Sequence, residues 1–386
     1  MIGSRSFKIS CDKSFQDSLS FATTSPCALV VDIKALKTNY VQLQTLSSKA
    51  GVASVVKADA YGLGANYVSS ALYEKGCRTF FVATIEEGIA LRETLDRNAE
   101  IYIFQGYEQG LEPIFERHAL KPVLISFHQL KGFFSYIKTK ETSLKAALHF
   151  DTGMSRTGIP EKEVTDVLDL IRTFPKQLRY IDLIFSHLAC SDQRSALYNW
   201  QQVHRFSYLK SFFPFARGSF ANSGGAFIHD AFHFDMLRTG AALYGVATQK
   251  TDAVYLEPVL SIYAKVCQIQ DVLAHQTVGY SQTYKAIKTT RVATLSIGYA
   301  DGLPFGAKDV FVTFKGFKAP VIGRISMDLL SVDVTQIPKN LCEVGLFAQV
   351  IGKESLSIDE WAQKSNTISY DILVKLGKRF ERVYQE

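Results

Sequence analysis

The chain of 386 residues is 47% hydrophobic and 21% charged, ordinary for a globular protein and too long for one growing core, so two domains are expected. Its formal charge of +6 comes from Lys and Arg scattered among acids, with no like-charged block and no basic stripe interleaved with aromatics. That pattern excludes nucleic acid as a partner and favours small anionic groups.

The N-terminal MIGSRSFKISCDKSFQDSLS has no apolar core of a signal peptide, and residues 1–26 are expected to be an extension. Cys11, Cys27, Cys77, Cys190, Cys267 and Cys342 lie far apart without a C-x-x-C pair, so neither zinc nor a disulfide framework is expected. Reduced thiols and the lack of any run of membrane-spanning length fit a cytoplasmic chain without membrane contact.

From Ala28 onward, short apolar runs alternate with amphipathic ones. Ile33, Leu36, Tyr40, Leu43 and Leu46 fall at steps of three or four and predict a helix. A β-branched strand ends at Lys57, followed by a helix in NYVSSALYEKG and the strand TFFVAT. TIEEGIALRETL, EIYIFQG, GLEPIFERHAL, KPVLIS and FHQLKGFFSYIK continue the alternation. LKAALHF, YIDLIFSHLA, GSFANS and FDMLRTG complete eight strands, with the longest helix, SALYNWQQVHRFSYLKSFF, before the seventh. Eight strands separated by helices predict an α/β fold with an N-terminal (β/α)₈ barrel over residues 27–254. GLGANY carries only part of a dinucleotide fingerprint, and no Walker-type loop occurs. Residues 255–386 change texture to alternating, glycine-punctuated runs and predict a second, mostly β domain.

The active face of such a barrel is the C-terminal end of its strands. Polar residues collect there: Lys57, Asp151 to Arg156 in DTGMSRTG, His187, Asn222 and Ser223, and Arg238. Ser223 and the backbone N–H groups near Gly240 suit a phosphate, and a lysine at the same rim could form a Schiff base with pyridoxal phosphate. His229 and His233 have the spacing of a helical ligand pair but lack a third ligand, so no metal site is expected.

VVKADAYGLGA, DTGMSRTG, SHLACSD, ANSGG, RTGAALYG, VGYSQTY, IGYADG, GRISMD and ISYDIL, in this order, resemble the motifs of the alanine racemases. The resemblance runs from about Ala28 to the end of the chain. It implies a barrel loaded with pyridoxal 5'-phosphate, a C-terminal β domain, a homodimer with active sites shared between chains, and interconversion of L- and D-alanine that supplies D-alanine for peptidoglycan. Residue by residue, it implies that Lys57 holds the cofactor and is one catalytic base, with Tyr280 the other. Tyr61, Ser223, Gly240, Ala241 and Tyr370 surround the phosphate, Arg238 faces the pyridine nitrogen, and Asn222 and His187 complete the cofactor site. Arg156 meets the cofactor's phenolic oxygen and the substrate carboxylate, while Tyr299, Met327 (through its N–H) and Asp328 lie at the substrate. His187 is expected to link Arg238 to Tyr280.

Two bases suit removal of a proton from one face and delivery to the other, and both Lys and Tyr begin near pKa 10. An arginine at the pyridine nitrogen keeps that nitrogen unprotonated and the ring a weaker electron sink, which favours proton exchange over transamination. One position departs from a common family pattern. Where many members carry a carbamylated lysine that orients the arginine of DTGMSRTG, this chain has His149, and an anion such as chloride is expected to take that role. A barrel that stores cofactor without turnover, and a broad-specificity racemase of the same fold, are the alternatives. Tyr280 and GRISMD count against the first.

Overall fold

A computed structural model describes residues 25–246 and 254–386. The chain divides into two units. One contains Leu36–Leu243; the other gathers the described residues up to Ala35, Tyr244–Val246 and Glu257–Glu386.

The strand Cys27–Asp32 (β1) comes first, followed by a helix at Ile33–Thr45. Eight parallel strands then close a barrel: β2 (Gly51–Val55), β3 (Thr79–Val82), β4 (Glu100–Ile103), β5 (Leu120–Leu124), β6 (Ala146–His149), β7 (Ile181–Phe185), β8 (Arg217–Ser219) and β9 (Met236–Thr239). Closure is made by β9 lying beside β2, with Val52 opposite Leu237 and Ser54 opposite Thr239. These strands are the eight read from the sequence, and the helices read between them are present, joined by one at Val164–Thr173 that the reading did not name. Thr84 and Ser126 cap two of them by accepting the N–H of Glu87 and Gln129. The longest, Leu197–Ser211, buries Val203, Phe206 and Leu209.

An aromatic layer fills the middle of the barrel. Phe81 stacks on Tyr102 and Phe104 with centroids 5.0 and 5.1 Å apart, and Phe185 meets both Phe81 and Phe104 edge-on. Edge-to-face and offset contacts of this kind match the ring quadrupoles. Below the layer, at the strands' N-terminal ends, Lys121 bonds Glu100 and Asp182, and Arg217 bonds Glu100 at 2.7 Å. Tyr102 ties the set together by donating to Asp182 at 2.9 Å.

The second unit is mostly strand. It holds β10 (Leu260–Val272), β11 (Thr277–Val278), β12 (Tyr284–Lys285), β13 (Thr290–Leu295), β14 (Phe311–Phe314), β15 (Phe317–Pro320), β16 (Leu330–Asp333), β17 (Phe347–Ile351) and β18 (Glu381–Gln385). Short helices at Ile358–Lys364 and Ser369–Lys375 lie between the last two strands. One correction concerns the boundary at residue 27. β1 belongs to this sheet, antiparallel to β10 (Leu29 opposite Ile262) and parallel to β18 (Leu29 opposite Arg382). Ala28 and Val30 pack with Tyr263, Phe347 and Val383, which buries the apolar run that the barrel does not need. The proposed extension lies, apart from Ser25 and Pro26, outside the described residues. Among the described residues, no helix is long and apolar enough to cross a membrane.

Candidate functional site

The mouth of the barrel begins at Lys57. The β2–β3 ladder ends with Val56 N–H donating to Phe81 O at 2.9 Å, and the chain then enters a left-handed turn. Ala58, Asp59, Ala60 and Tyr61 all have φ between 52° and 57°. Left-handed helical backbone costs about 1–2 kcal/mol for each L-residue, so four in a row store roughly 4–8 kcal/mol. Strain of that size persists only where surrounding bonds impose it. Here Asp59 Oδ1 accepts the Ala65 N–H at 2.7 Å and Ala60 N–H donates to Val56 O at 2.9 Å. The Ala58 N–H donates to Glu87 Oε1 at 2.8 Å. The turn leaves the Lys57 ammonium 5.9 Å from the Phe104 ring centroid and sends Tyr61 toward Gly240. Burial, and then the charge of Arg156, push the Lys57 amine below its ordinary value, while Glu87 opposes them.

Arg238, near the end of β9, is buried at 3% exposure. It donates to Ser219 Oγ at 2.7 Å and Ser186 O at 2.5 Å, and its guanidinium lies 4.5 Å from the Phe185 centroid. Burial with no facing carboxylate lowers its pKa to about 9. His149 stacks on the same Phe185 ring, with centroids 4.5 Å apart. Burial and the two arginines hold its pKa down at about 3, so its imidazole is neutral. His187, also pushed well below its ordinary value by burial and by Arg238, pairs its Nε2 with Asn222 Nδ2 at 3.3 Å. The expected bond from His187 to Arg238 is not made among the described residues: the guanidinium turns to the Ser186 carbonyl, and the two groups feel each other through charge.

Opposite these groups, Ser223 Oγ accepts the N–H of Gly240 at 2.9 Å and that of Ala242 at 3.3 Å, and Ala241 between them is buried. Any Cβ on Gly240 would sit 2.5 Å from the Tyr61 hydroxyl, so only glycine allows this approach. Arg156 lies on a loop folded around Asp151, whose Oδ1 accepts the N–H of Gly153 and Met154 at 2.8 Å each. The arginine is exposed, and among the described residues no protein group bonds it. His229 and His233 serve local structure: His229 Nδ1 caps a turn at Ala231, and His233 Nε2 meets Ala226 O at 2.9 Å.

In the second unit, two loops are stitched together. Tyr299 N–H donates to Ser326 O at 3.1 Å and Ala300 N–H to Met327 O at 3.0 Å. A Cβ on Gly298 would meet both carbonyl oxygens at 2.3 Å. Asp301, buried beneath them, accepts from Gly298 N–H and from Arg379 Nε, and the same Arg379 donates to Asp328 at 2.6 Å. Tyr299 and Met327 are 40% and 53% exposed, and Tyr280, at the tip of a short turn, is 70% exposed. Tyr370 is half-buried on the first turn of Ser369–Lys375.

Comparison with known proteins gives two family matches, the alanine racemase N-terminal domain over residues 31–248 and the alanine racemase C-terminal domain over residues 259–384. The chain belongs to the alanine racemase family. The alanine racemase of Brucella abortus is 38% identical over 372 residues, covering 92% of this chain and 93% of that one. A catabolic alanine racemase of Rhizobium johnstonii is 38% identical over 360 residues, with 92% and 94% covered. The crystal structure of alanine racemase from Bartonella henselae with covalently bound pyridoxal phosphate superposes with a TM-score of 0.86 at 35% identity, covering 94% of this chain and all of that one. The biosynthetic alanine racemase of Pseudomonas aeruginosa gives 0.84 at 31% identity, with the same coverage.

Within this alanine racemase chain, the barrel brings together Lys57, Tyr61, Arg156, His187, Asn222, Ser223, Arg238, Gly240 and Ala241. The second unit separately brings together Tyr299, Met327 and Asp328. Three supporting residues escape a reading of motifs. Glu87 looks like an ordinary acid in a helix's first turn. Gln202 looks like a polar helix position, yet it donates to His187 O at 3.0 Å and accepts from Ala189 N–H at 2.9 Å. Arg379 looks like one cation in KRFER, a run that offers no signal of the two aspartates it joins.

Proposed function

We propose that the chain interconverts L- and D-alanine with pyridoxal 5'-phosphate held at the barrel mouth. One observation carries this: at the mouth, burial and then the charges of Arg156 and Arg238 hold His149 and His187 below their ordinary value, and burial and then Arg156 do the same to Lys57, with Glu87 opposing at Lys57 and Asp151 at His149. Such a site fits an anionic occupant. The donor set matches this cofactor in particular, since Ser223 and the Gly240 and Ala242 N–H groups converge as a phosphate cradle and Gly240 leaves it open beneath Tyr61.

When bound, pyridoxal phosphate supplies an aldehyde that captures amines and a ring that acidifies the neighbouring C–H bond. Lys57 would hold it covalently. Ser223, Gly240, Ala241, Tyr61 and Tyr370 would bind the phosphate, and Asn222 and His187 would line the ring. Arg238 would donate to the pyridine nitrogen, which a cation without a carboxylate partner is free to do. Lys57, its amine held below the ordinary value by burial and then by Arg156, would be the base on one face. Tyr280, exposed and at a loop tip, is the second base on the other. Arg156 receives the substrate carboxylate, with Tyr299, the Met327 N–H and Asp328 at the substrate. An anion such as chloride would orient Arg156, which is exposed and bonded by no protein group among the described residues.

Enantiomers have equal free energy in water, so the direction of flow is set by what consumes the product. Supply of D-alanine to peptidoglycan is one such use, and a cytoplasmic setting, supported by five free thiols among the described residues, goes with it. Incubation with L-alanine in D₂O tests the reaction: deuterium at Cα with appearance of D-alanine is expected, and loading without exchange would identify a cofactor carrier.

The active site is proposed to be shared in a homodimer, Tyr280 coming from the second chain. A two-fold contact brings the same pair of elements together twice. Lys57→Ala and Tyr280→Phe chains, each inactive, are refolded together. About half of the dimers are then mixed, each with one intact site, so about a quarter of the activity returns. A mixture as inactive as its parents rules the sharing out.

A further inference from the structure

We propose that Glu87 is the positioning residue of the Lys57 turn. The proposal rests on Lys57 being the cofactor lysine. Glu87 stands in the first turn of the helix Ile85–Thr94, directly after β3, the strand that neighbours β2 in the barrel. Its two carboxylate oxygens take two backbone N–H groups from different strand ends: Oε1 takes Ala58 at 2.8 Å and Oε2 takes Ala83 at 2.7 Å. The ladder between β2 and β3 has stopped by then, its last bond running from Val56 N–H to Phe81 O. The carboxylate therefore continues the strand pairing as a side-chain bridge, at the point where β2 turns left-handed.

Glu87 is itself fixed, its own N–H donating to Thr84 Oγ1 at 3.3 Å. The helix end does not require it for charge, because Glu86 is exposed one residue earlier, with its carboxyl held low by a bond to its own N–H and then by Thr84. The left-handed run begins at Ala58, the residue whose N–H Glu87 accepts, and Lys57 is the residue before it. A group that fixes Ala58 fixes the base of the Lys57 side chain. The same carboxylate also acts on the amine electrostatically, against the effects of burial and Arg156.

Three variants of the full chain decide the matter, measured with cofactor and after its removal. In Glu87→Ala, amide hydrogen exchange at Ala58 and Ala83 should quicken about tenfold or more, and kcat for L-alanine should fall about 10–100-fold with KM little changed. Glu87→Gln keeps one acceptor and should fall between, and in the cofactor-free chain it should move the titration of the Lys57 amine, followed by competitive labelling, downward. Glu86→Gln should leave all of these as in the parent. Parental exchange at Ala58 in Glu87→Ala overturns the proposal, as does faster exchange with unchanged kcat. Should the alanine variant fail to fold, the glutamine variant carries the same readings. If the parent chain does not racemise alanine, exchange and labelling still report on the bridge, so the two proposals fail separately.

Discussion

At the floor of the barrel Lys121 and Arg217 meet Glu100 and Asp182, and burial of these ions is offset by opposite charge and by the Tyr102 hydroxyl. At the mouth, Arg238 is more deeply buried and among the described residues pairs with no carboxylate, and the two imidazoles beside it are pushed below their ordinary value by burial and then by Arg238. The Phe81, Phe104, Tyr102 and Phe185 layer separates the two sets. Lys121 lies over Tyr102 at 5.1 Å on one side and Arg238 over Phe185 at 4.5 Å on the other. One architecture thus carries charges that complete each other and charges gathered with their own sign. The first arrangement suits structure and the second suits the proposed binding of an anionic group, as expected for the two ends of such a barrel.

The sharpest test of that division is Lys57→Ala. Racemisation should fall on the order of 10⁴-fold or more, while the thermal midpoint stays near the parent's, because a strand-end group is lost and no core volume. Borohydride reduction of the loaded parent should fix the cofactor on the peptide containing Lys57, and recovery on another lysine would reassign the site. Lys121→Met should do the reverse. It leaves Asp182 without its cation and should cost about 3 kcal/mol in a denaturant titration, with kcat/KM for the folded fraction unchanged. A loss of activity without loss of stability would join floor and mouth into one functional unit.

The smallest effect is in acid. His149 has a native pKa of about 3 against an ordinary 6.5, so between those values the unfolded chain binds a proton that the native one does not, and stability falls as pH falls from 6.5. Glu100 is held below its ordinary 4.5, chiefly by Lys121 and then Arg217, which outweigh its burial. Its stabilisation is complete above 4.5 and is lost only as pH falls below that. The mouth should therefore weaken the protein at a higher pH than the floor does. His149→Phe, which retains a ring against Phe185, should flatten the stability curve between pH 6.5 and 4.5, with His187 leaving a residual slope. Parallel curves for the two chains would mean that His149 is not the neutral group described.

Much of this is legible in the sequence. Eight apolar runs with helices between them specify the barrel, and strand ends tell where Lys57, His187, Ser223 and Arg238 gather. β1 was not, because ALVV reads as a buried strand in either domain and nothing local names its partners. Glu87 and Arg379 were not, because their roles lie in bonds to backbone N–H groups or distant carboxylates, and a side chain's own letter carries no address. The link expected from His187 to Arg238 failed for a related reason. Backbone carbonyls such as that of Ser186 accept bonds at every position and leave no trace in sequence.

β1 also bears on how the chain is made. It leaves the ribosome before the barrel strands, but β10 follows roughly 230 residues later, on the order of 10–50 s at ordinary synthesis rates, and β18 emerges later still. Among the described residues the barrel strands pair with one another and can close in the meantime. Until then β1 is an apolar strand with both edges open, the kind of segment to which other chains add. A nascent chain stalled before residue 381 would hold a finished barrel and a sheet still missing one neighbour of its first strand.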